Sequence, residues 1–240
     1  MGGDEVLAQA FADLAGSWCG TDFGEVGSRI TAAAPGLVPG CEQAALSLLD
    51  RHGGVVTVAA TGWAAARAGE IQREIGSGPG LDAIRVRPLC RVSDPRLDEE
   101  WPEFSRLAAA QAGIRCLLAV RLTAGSEVLG ALNVYASKSY ALGAPAVART
   151  VPLAVHGALA LAMAGCRRRC AELEEALQSN RSIGIALGII MVQRRSTSQD
   201  AFDVLRRCAE RQHRKVREVA ADVVLTGEIP DPGRPQSPAR

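Results

Sequence analysis

The sequence predicts two structural units: an α+β domain built on an antiparallel sheet, then a long heptad helix leading into an all-α three-helix module. Three observations carry this. Apolar, strand-like runs occur in pairs around short glycine turns between residues 44 and 136. From about residue 145 the strand pattern stops and helical spacing takes over. Finally, Leu159, Met163, Cys166, Cys170, Leu173, Leu177, Asn180, Gly184, Leu187 and Met191 keep an unbroken 4–3 spacing through more than four heptads.

Residues 4–19 and 23–34 read as two short helices. "AALSLLD" (44–50) and "VVTVAATG" (55–62) read as strands joined by the turn "RHGG". A helix follows over 63–74, then the loop-like "GSGPG" (76–80), a short strand within "PLCRVSD", and a helix over 99–112. "CLLAVRLT" (116–123) and "VLGALNVYA" (128–136) form a second hairpin around Gly125. The order αα-ββ-α-β-α-ββ fits helices packed on an antiparallel sheet.

The 4–3 spacing reads as a coiled-coil seam, with Asn180 as a register-fixing polar residue. The competing reading is one amphipathic helix lying on its own sheet. After Arg195, Ser198 is the N-cap candidate of a second helix, and Asp200 suits its positive first turn. That helix buries Ala201, Phe202, Leu205 and Cys208–Ala209; a third buries Val216, Val219, Ala220, Val223 and Val224 and stops at Gly227. The tail "PDPGRPQSPAR" reads as disordered.

Composition narrows the functional classes. Apolar content of 48% supports a sizeable core. The net charge of +1 hides an asymmetry, because residues 181–217 hold nine basic side chains against three acidic. Of the 27 basic residues all but Lys138 and Lys215 are arginine, a bias that accompanies alanine and glycine richness and carries no nucleic-acid signal alone. The N-terminus has no apolar signal region, and "LAVHGALALAMA" (153–164) is too short to span a bilayer. Seven cysteines without scaffold spacing fit a reducing cytoplasm. No CxxC, Walker, nucleophile-elbow or metal-binding pattern is present. No metal, no catalytic residue and no membrane partner is expected; the cofactor is unknown.

The stretch "RSIGIALGIIMVQRRSTSQDAFDVLRRCAERQHRKVREVAADVVLTG" (181–227) resembles the ANTAR domain, an RNA-binding module of bacterial antitermination regulators. The matching positions are Arg181, Ala186, Gly188 and Met191, then Ser198, Ala201, Phe202, Leu205 and Arg206, then Lys215 and Val219–Ala220. Residues 41–142 resemble a GAF sensor domain of the kind that precedes ANTAR in actinobacterial proteins, through "GCEQAALSLL", "VTVAATG", "IQREIGSGPGLDAI", "SDPRLDEEWPEF" and "GALNVYA". In two places the chain departs from the family. Leu187 stands where the first helix often has lysine, and His213 where the third helix commonly starts with asparagine, a strong N-cap.

The resemblance implies N-terminal helices over 1–40, a GAF-like domain over 41–144, a coiled-coil linker over 145–180, an ANTAR module over 181–228 and a tail over 229–240. It implies a cytoplasmic homodimer that binds hairpin loops in nascent transcripts, under control of a small-molecule ligand at the GAF domain. Ala186 and Gly188 form a thin helix surface that a splayed base can approach, and Arg181, Arg206, Arg207, Arg211, Arg214 and Lys215 neutralise phosphates. The competing reading of the glycines is close helix packing, and of the arginines a solvated face. Phe202 reads as core. Leu81, Cys90, Trp101 and Tyr135 line the sensor pocket, or serve as ordinary core.

A DNA-reading helix-turn-helix expects a tight turn, often with glycine, and "ERQHRK" has none. A GAF-type thiol enzyme reducing methionine sulfoxide needs Cys41, Cys90 and Cys116 in one pocket. Cys166 and Cys170, flanking three arginines, read as seam filler rather than redox-responsive thiols.

Overall fold

The computed structural model describes residues 23–229, so the expected helix over 4–19 and the tail beyond residue 229 lie outside the described residues. Two compact units divide the chain, Met1–Cys166 and Arg167–Arg240.

The first unit runs α1 (Phe23–Leu37), β1 (Gln43–Leu49), β2 (Val55–Ala60), α2 (Trp63–Ile75), α3 (Pro79–Arg85), β3 (Leu89–Val92), α4 (Pro102–Ala112), β4 (Cys116–Ala124) and β5 (Glu127–Ala136). It closes with the first part of α5 (Ala144–Arg194). The strands form one antiparallel sheet in the order β2-β1-β5-β4-β3. In the β1–β2 turn the Asp50 carboxylate accepts from the backbone N–H of His52 and Gly54, both at 2.8 Å, and Gly53 takes a φ of +79°. Gly125, φ +62°, makes the β4–β5 turn.

Alternation along the strands builds two cores. Leu132, Val134 and Ala136 of β5 face a cluster completed by Val26, Ile30 and Ala34 of α1 and by Leu153, Ala158 and Leu161 of α5. Ala131 and Tyr135 face the other way, onto Ile71 of α2, Ile84 of α3 and Phe104 of α4. The unit therefore extends beyond the expected 41–144, because a sheet apolar on both faces needs α1 and α5 to cover one of them. The second difference is α3. "GSGPG" reads as loop, yet Pro79 occupies the first turn of a helix, where its missing N–H costs nothing.

The 51-residue α5 is long and apolar enough to cross a membrane by length and composition, and 44% of its most apolar window is buried within the fold. The expectation from the unbroken run 153–164 missed this, since the helix continues well past that run. The first part of this helix lies on its own sheet, as the competing reading expects. Leu153, Ala154, Ala158 and Leu161 lie against the sheet, while Leu159, Met163 and Cys166 stand exposed on the opposite side.

The second unit holds the end of α5, α6 (Ser198–Gln212) and α7 (Val216–Thr226), packed through Ala186, Ile190, Ala201, Leu205, Cys208, Val219, Ala220 and Val223. The N-cap of α6 is Thr197, with Ser198 already inside the helix. Thr197 Oγ1 accepts from Asp200 N at 3.3 Å, and the Asp200 carboxylate accepts from Thr197 N at 3.2 Å, a reciprocal capping box. His213 closes α6 as a left-handed C-cap, φ +52°, and Lys215 is the N-cap of α7. Asparagine tolerates the left-handed conformation well, so the expected N-cap preference at 213 is a C-cap preference instead. Gly227, φ +71°, ends α7 as expected.

Candidate nucleic-acid interface and sensor pocket

Helix α5 presents one exposed face in its last turns. Arg181, Gly184, Ile185, Gly188 and Val192 recur at helical spacing and are all exposed, with Arg195 just past the helix end. A Cβ built on Gly184 or Gly188 meets nothing within 4 Å, so neither glycine serves close packing within the chain. Ala186 points the other way and is fully buried in the three-helix core. Its smallness lets α6 and α7 approach α5; it does not offer a surface.

The predicted cations separate into two groups. Arg207, Arg211 and Lys215 are exposed, and among the described residues no ion pair holds them or Arg181. Arg206 is exposed with Asp203 Oδ1 at 3.3 Å. Arg214 is different. Its Nη1 donates to Asp222 Oδ2 at 2.6 Å and its Nε lies 3.6 Å from Glu218, tying the α6–α7 turn to α7. These carboxylates hold its guanidinium pKa above the ordinary value. Arg217 is likewise paired, with Glu175 of α5 at 2.6 Å.

Phe202, expected in the core, is 37% exposed, one turn from Arg206. Ile185, Val192 and Phe202 were not singled out as surface residues by sequence reasoning. The signal was present in the helical spacing, which sets 185 and 192 opposite the buried Ala186 and Ile190. A groove of about 450 Å³ between α5 and α7 carries Glu174, Glu175 and Glu218 and has the wrong sign for phosphates.

The proposed seam is exposed from Cys170 to Gly184, whereas Leu187 and Met191 turn partly into the three-helix core. Leu173 and Leu177 are 63% and 68% exposed, and Cys170 and Asn180 are also open. Cys166 and Cys170 sit one helical turn apart.

In the first unit, Cys90, Trp101 and Tyr135 are all buried in the core beneath α2, α3 and α4. Trp101 Nε1 donates to Asp82 Oδ2 at 2.9 Å, and the Arg87 guanidinium stacks over the indole at 5.2 Å while pairing with Glu100. Leu81 lines a separate cavity of about 290 Å³ between β2 and α2, with Ser47, Thr57, Gly69, Gln72 and Gly80. Glu70 and Arg73 also line this cavity.

Cys41, Cys90 and Cys116 do not converge. Cys41 and Cys116 belong to the core under α1 and α5, and Cys90 to the core on the opposite face of the sheet. Burial pushes the Cys41 thiol up to about 11 and raises those of Cys90 and Cys116 as well.

Comparison with known proteins places both units. Residues 20–162 match the GAF domain family and residues 171–224 the ANTAR domain family. No curated protein matches the chain. Among solved structures, it resembles the GAF domain of a phosphoenolpyruvate-protein phosphotransferase from Coxiella burnetii, with a TM-score of 0.53 at 16% identity over 70% of this chain and 99% of that one. The corresponding GAF domain from Acinetobacter gives 0.52 at 12% identity, over 68% of this chain and 98% of that one. A cyanobacteriochrome GAF domain gives 0.50 at 18%, over 60% and 91%. Likeness at these identities speaks for the fold alone. The fold, a five-stranded antiparallel sheet covered by helices and followed by a long helix and a three-helix module, agrees with both matches. The chain belongs to the GAF domain family and carries an ANTAR domain after it.

Proposed function

We propose that this protein is a signal-responsive, RNA-binding transcription antitermination regulator of the cytoplasm, acting as a homodimer. Its ANTAR unit binds hairpin loops in nascent transcripts, and its GAF unit controls that binding through a small-molecule ligand. The observation that carries the reading is the exposed α5 face with Gly188 at its centre, in a chain whose residues 171–224 match the ANTAR family. An open glycine in a helix costs roughly 1 kcal/mol against alanine, so its presence on a bare face fits close approach of a partner. Splayed loop bases are such a partner, and Arg181, Arg207, Arg211 and Lys215 supply exposed positive charge for the phosphates.

The exposed seam gives the dimer its contact. Leu173 and Leu177 of one protomer meet the same residues of the second, which is the isologous geometry of a two-fold interface. No catalytic step is assigned. The placement of Cys41 and Cys116 in one core and Cys90 in the other, with burial raising each thiol's pKa, supports a binding role over thiol chemistry. Transcription in vitro through a terminator preceded by paired hairpins tests the proposal. The full chain should raise read-through several-fold, and read-through unchanged at saturating protein would remove the antitermination role.

A further inference from the structure

Every residue of α5 over 166–178 is exposed, so the apolar seam in this stretch has no cover among the described residues. Met163, Cys166, Cys170, Leu173 and Leu177 follow one another along it at heptad spacing, all of them exposed. Cys41, Cys90, Cys116 and Cys208 are buried, which leaves Cys166 and Cys170 as the exposed thiols among the described residues. Read from sequence alone this pair is seam filler; its place on an open seam gives it chemistry as well. Side chains one turn apart on a helix hold their Cβ atoms about 5–6 Å apart. A disulfide needs a Cβ separation of about 3.5–4.5 Å. Cys166 and Cys170 of one chain therefore cannot bridge each other without distorting α5, and a bridge from either must run to a second chain.

The flanking charges select the direction of that second chain. Cys166 and Leu173 occupy one seam position of the heptad, and Cys170 and Leu177 the other. Arg167 and Arg169 then fall on the two positions that border the seam, and Glu174 on the same border as Arg167, one heptad on. All three are exposed. In a parallel, in-register pair of helices each Arg169 lies beside Glu174 of the other helix, an opposite-charge contact made twice by symmetry. An antiparallel pair centred on the cysteines sets Arg167 against Arg167 and Arg169 against Arg169, which repel. The parallel pairing is favoured, and it places each seam cysteine across the two-fold axis from its own counterpart. The occupant of this face is thus a second copy of the chain.

We infer that the seam is a site of reversible oxidation, at which hydrogen peroxide joins Cys170 of one protomer to Cys170 of the other, and Cys166 to Cys166 one turn away. The assignment rests on the dimer reading and names a control on it. A Cys170 thiolate attacks one peroxide oxygen and the O–O bond breaks; the departing hydroxide takes up a proton as water, and the sulfur is left as a sulfenic acid. The counterpart thiol gives up its proton and attacks that sulfur. The S–S bond forms, the S–O bond breaks, and the second water leaves. Two thiols thereby lose two protons and two electrons to one peroxide. A dithiol reductant reverses the step by exchange, as a transient bridge in a reducing compartment requires. A dimer without the bridge dissociates on dilution, whereas the bridged form keeps both ANTAR units together at any concentration.

The test treats the full chain with stoichiometric hydrogen peroxide at micromolar protein. Cys19 lies outside the described residues, so every sample carries Cys19→Ser. Non-reducing electrophoresis reads the product, and a tryptic mass map locates the bridges, because trypsin cuts at Arg167, Arg168 and Arg169 between the two cysteines. A covalent dimer should form, dithiothreitol should reverse it, and the bridges should join 170 to 170 and 166 to 166. Cys166→Ser and Cys170→Ser should each still cross-link, and the double variant should not. At nanomolar protein the oxidised form should hold tandem-hairpin RNA about tenfold more tightly than the reduced form, a gain that the double variant lacks. A bridge between 166 and 170, within or between chains, overturns the assignment, as does a single variant that no longer cross-links. Equal RNA affinity of the oxidised and reduced forms removes the control. Should sedimentation show a dimer that peroxide leaves unbridged, the dimer reading stands and the oxidation site falls; a monomer that does not cross-link takes both down. A reduced dimer that takes up zinc on these thiols and resists peroxide makes them a metal site and overturns the cross-link.

Discussion

Arg214 donates to Asp222 across the α6–α7 turn at 2.6 Å, and this single contact divides the arginines of the ANTAR unit into struts and free charges. A guanidinium already answered by a carboxylate has little to offer a phosphate. Arg214→Gln should therefore lower the stability of the second unit by about 1 kcal/mol and leave the salt dependence of RNA binding nearly unchanged. Arg207→Gln should do the reverse, flattening the salt slope by about one unit with little change in Tm. Denaturant melts and binding at several salt concentrations separate the two.

The capping box makes a second prediction. Thr197→Ala should cost about 1 kcal/mol through loss of the cap, whereas Ser198→Ala should be nearly neutral, because Ser198 lies inside the helix. Hydrogen bonds from Thr197 hold the Asp200 carboxyl below the ordinary carboxylate range. A group whose pKa is lower in the folded state contributes stability that is fully present above its unfolded value, near 4. That contribution is lost as pH falls through the folded value. The acid limb of a pH–stability curve should therefore shrink in Asp200→Asn.

What the sequence disclosed and what it hid follow from the range of the physics involved. The strands, the helical run after residue 145, the Gly125 turn and the Gly227 stop are local signals, and the structure reproduces them. The direction in which Ala186 points, the pairing of Arg214 with Asp222, and the exposure of Phe202 depend on how three helices meet, which no local window contains. Helix α3 was hidden because glycine and proline cluster at its entry, although the proline sits where helices accept it.

Gly188 offers a test in which stability and function move oppositely. A Cβ there meets open space, so Gly188→Ala should stabilise the isolated protein by up to about 1 kcal/mol. Gly188→Leu should fold as well as the parent and weaken hairpin RNA by more than tenfold. Thermal melts and RNA titrations on the same preparations check both halves; equal RNA affinity for the leucine variant would return Gly188 to a bare solvated surface.

The seam is open to the same kind of separation. Leu173 and Leu177 are exposed within one chain, so replacing both with glutamate should barely alter the fold of the second unit. In a dimer it places four like charges in the contact. Sedimentation should show the parent as a dimer at micromolar concentration and the double variant as a monomer. A parent chain that is monomeric at high micromolar concentration would remove the coiled-coil contact.

The most direct measurement is titration of the full chain with RNA carrying two tandem hairpins, across a range of salt and with duplex DNA as competitor. The account predicts tight binding that weakens steeply with salt and that duplex DNA displaces poorly. Equal affinity for duplex DNA would contradict it.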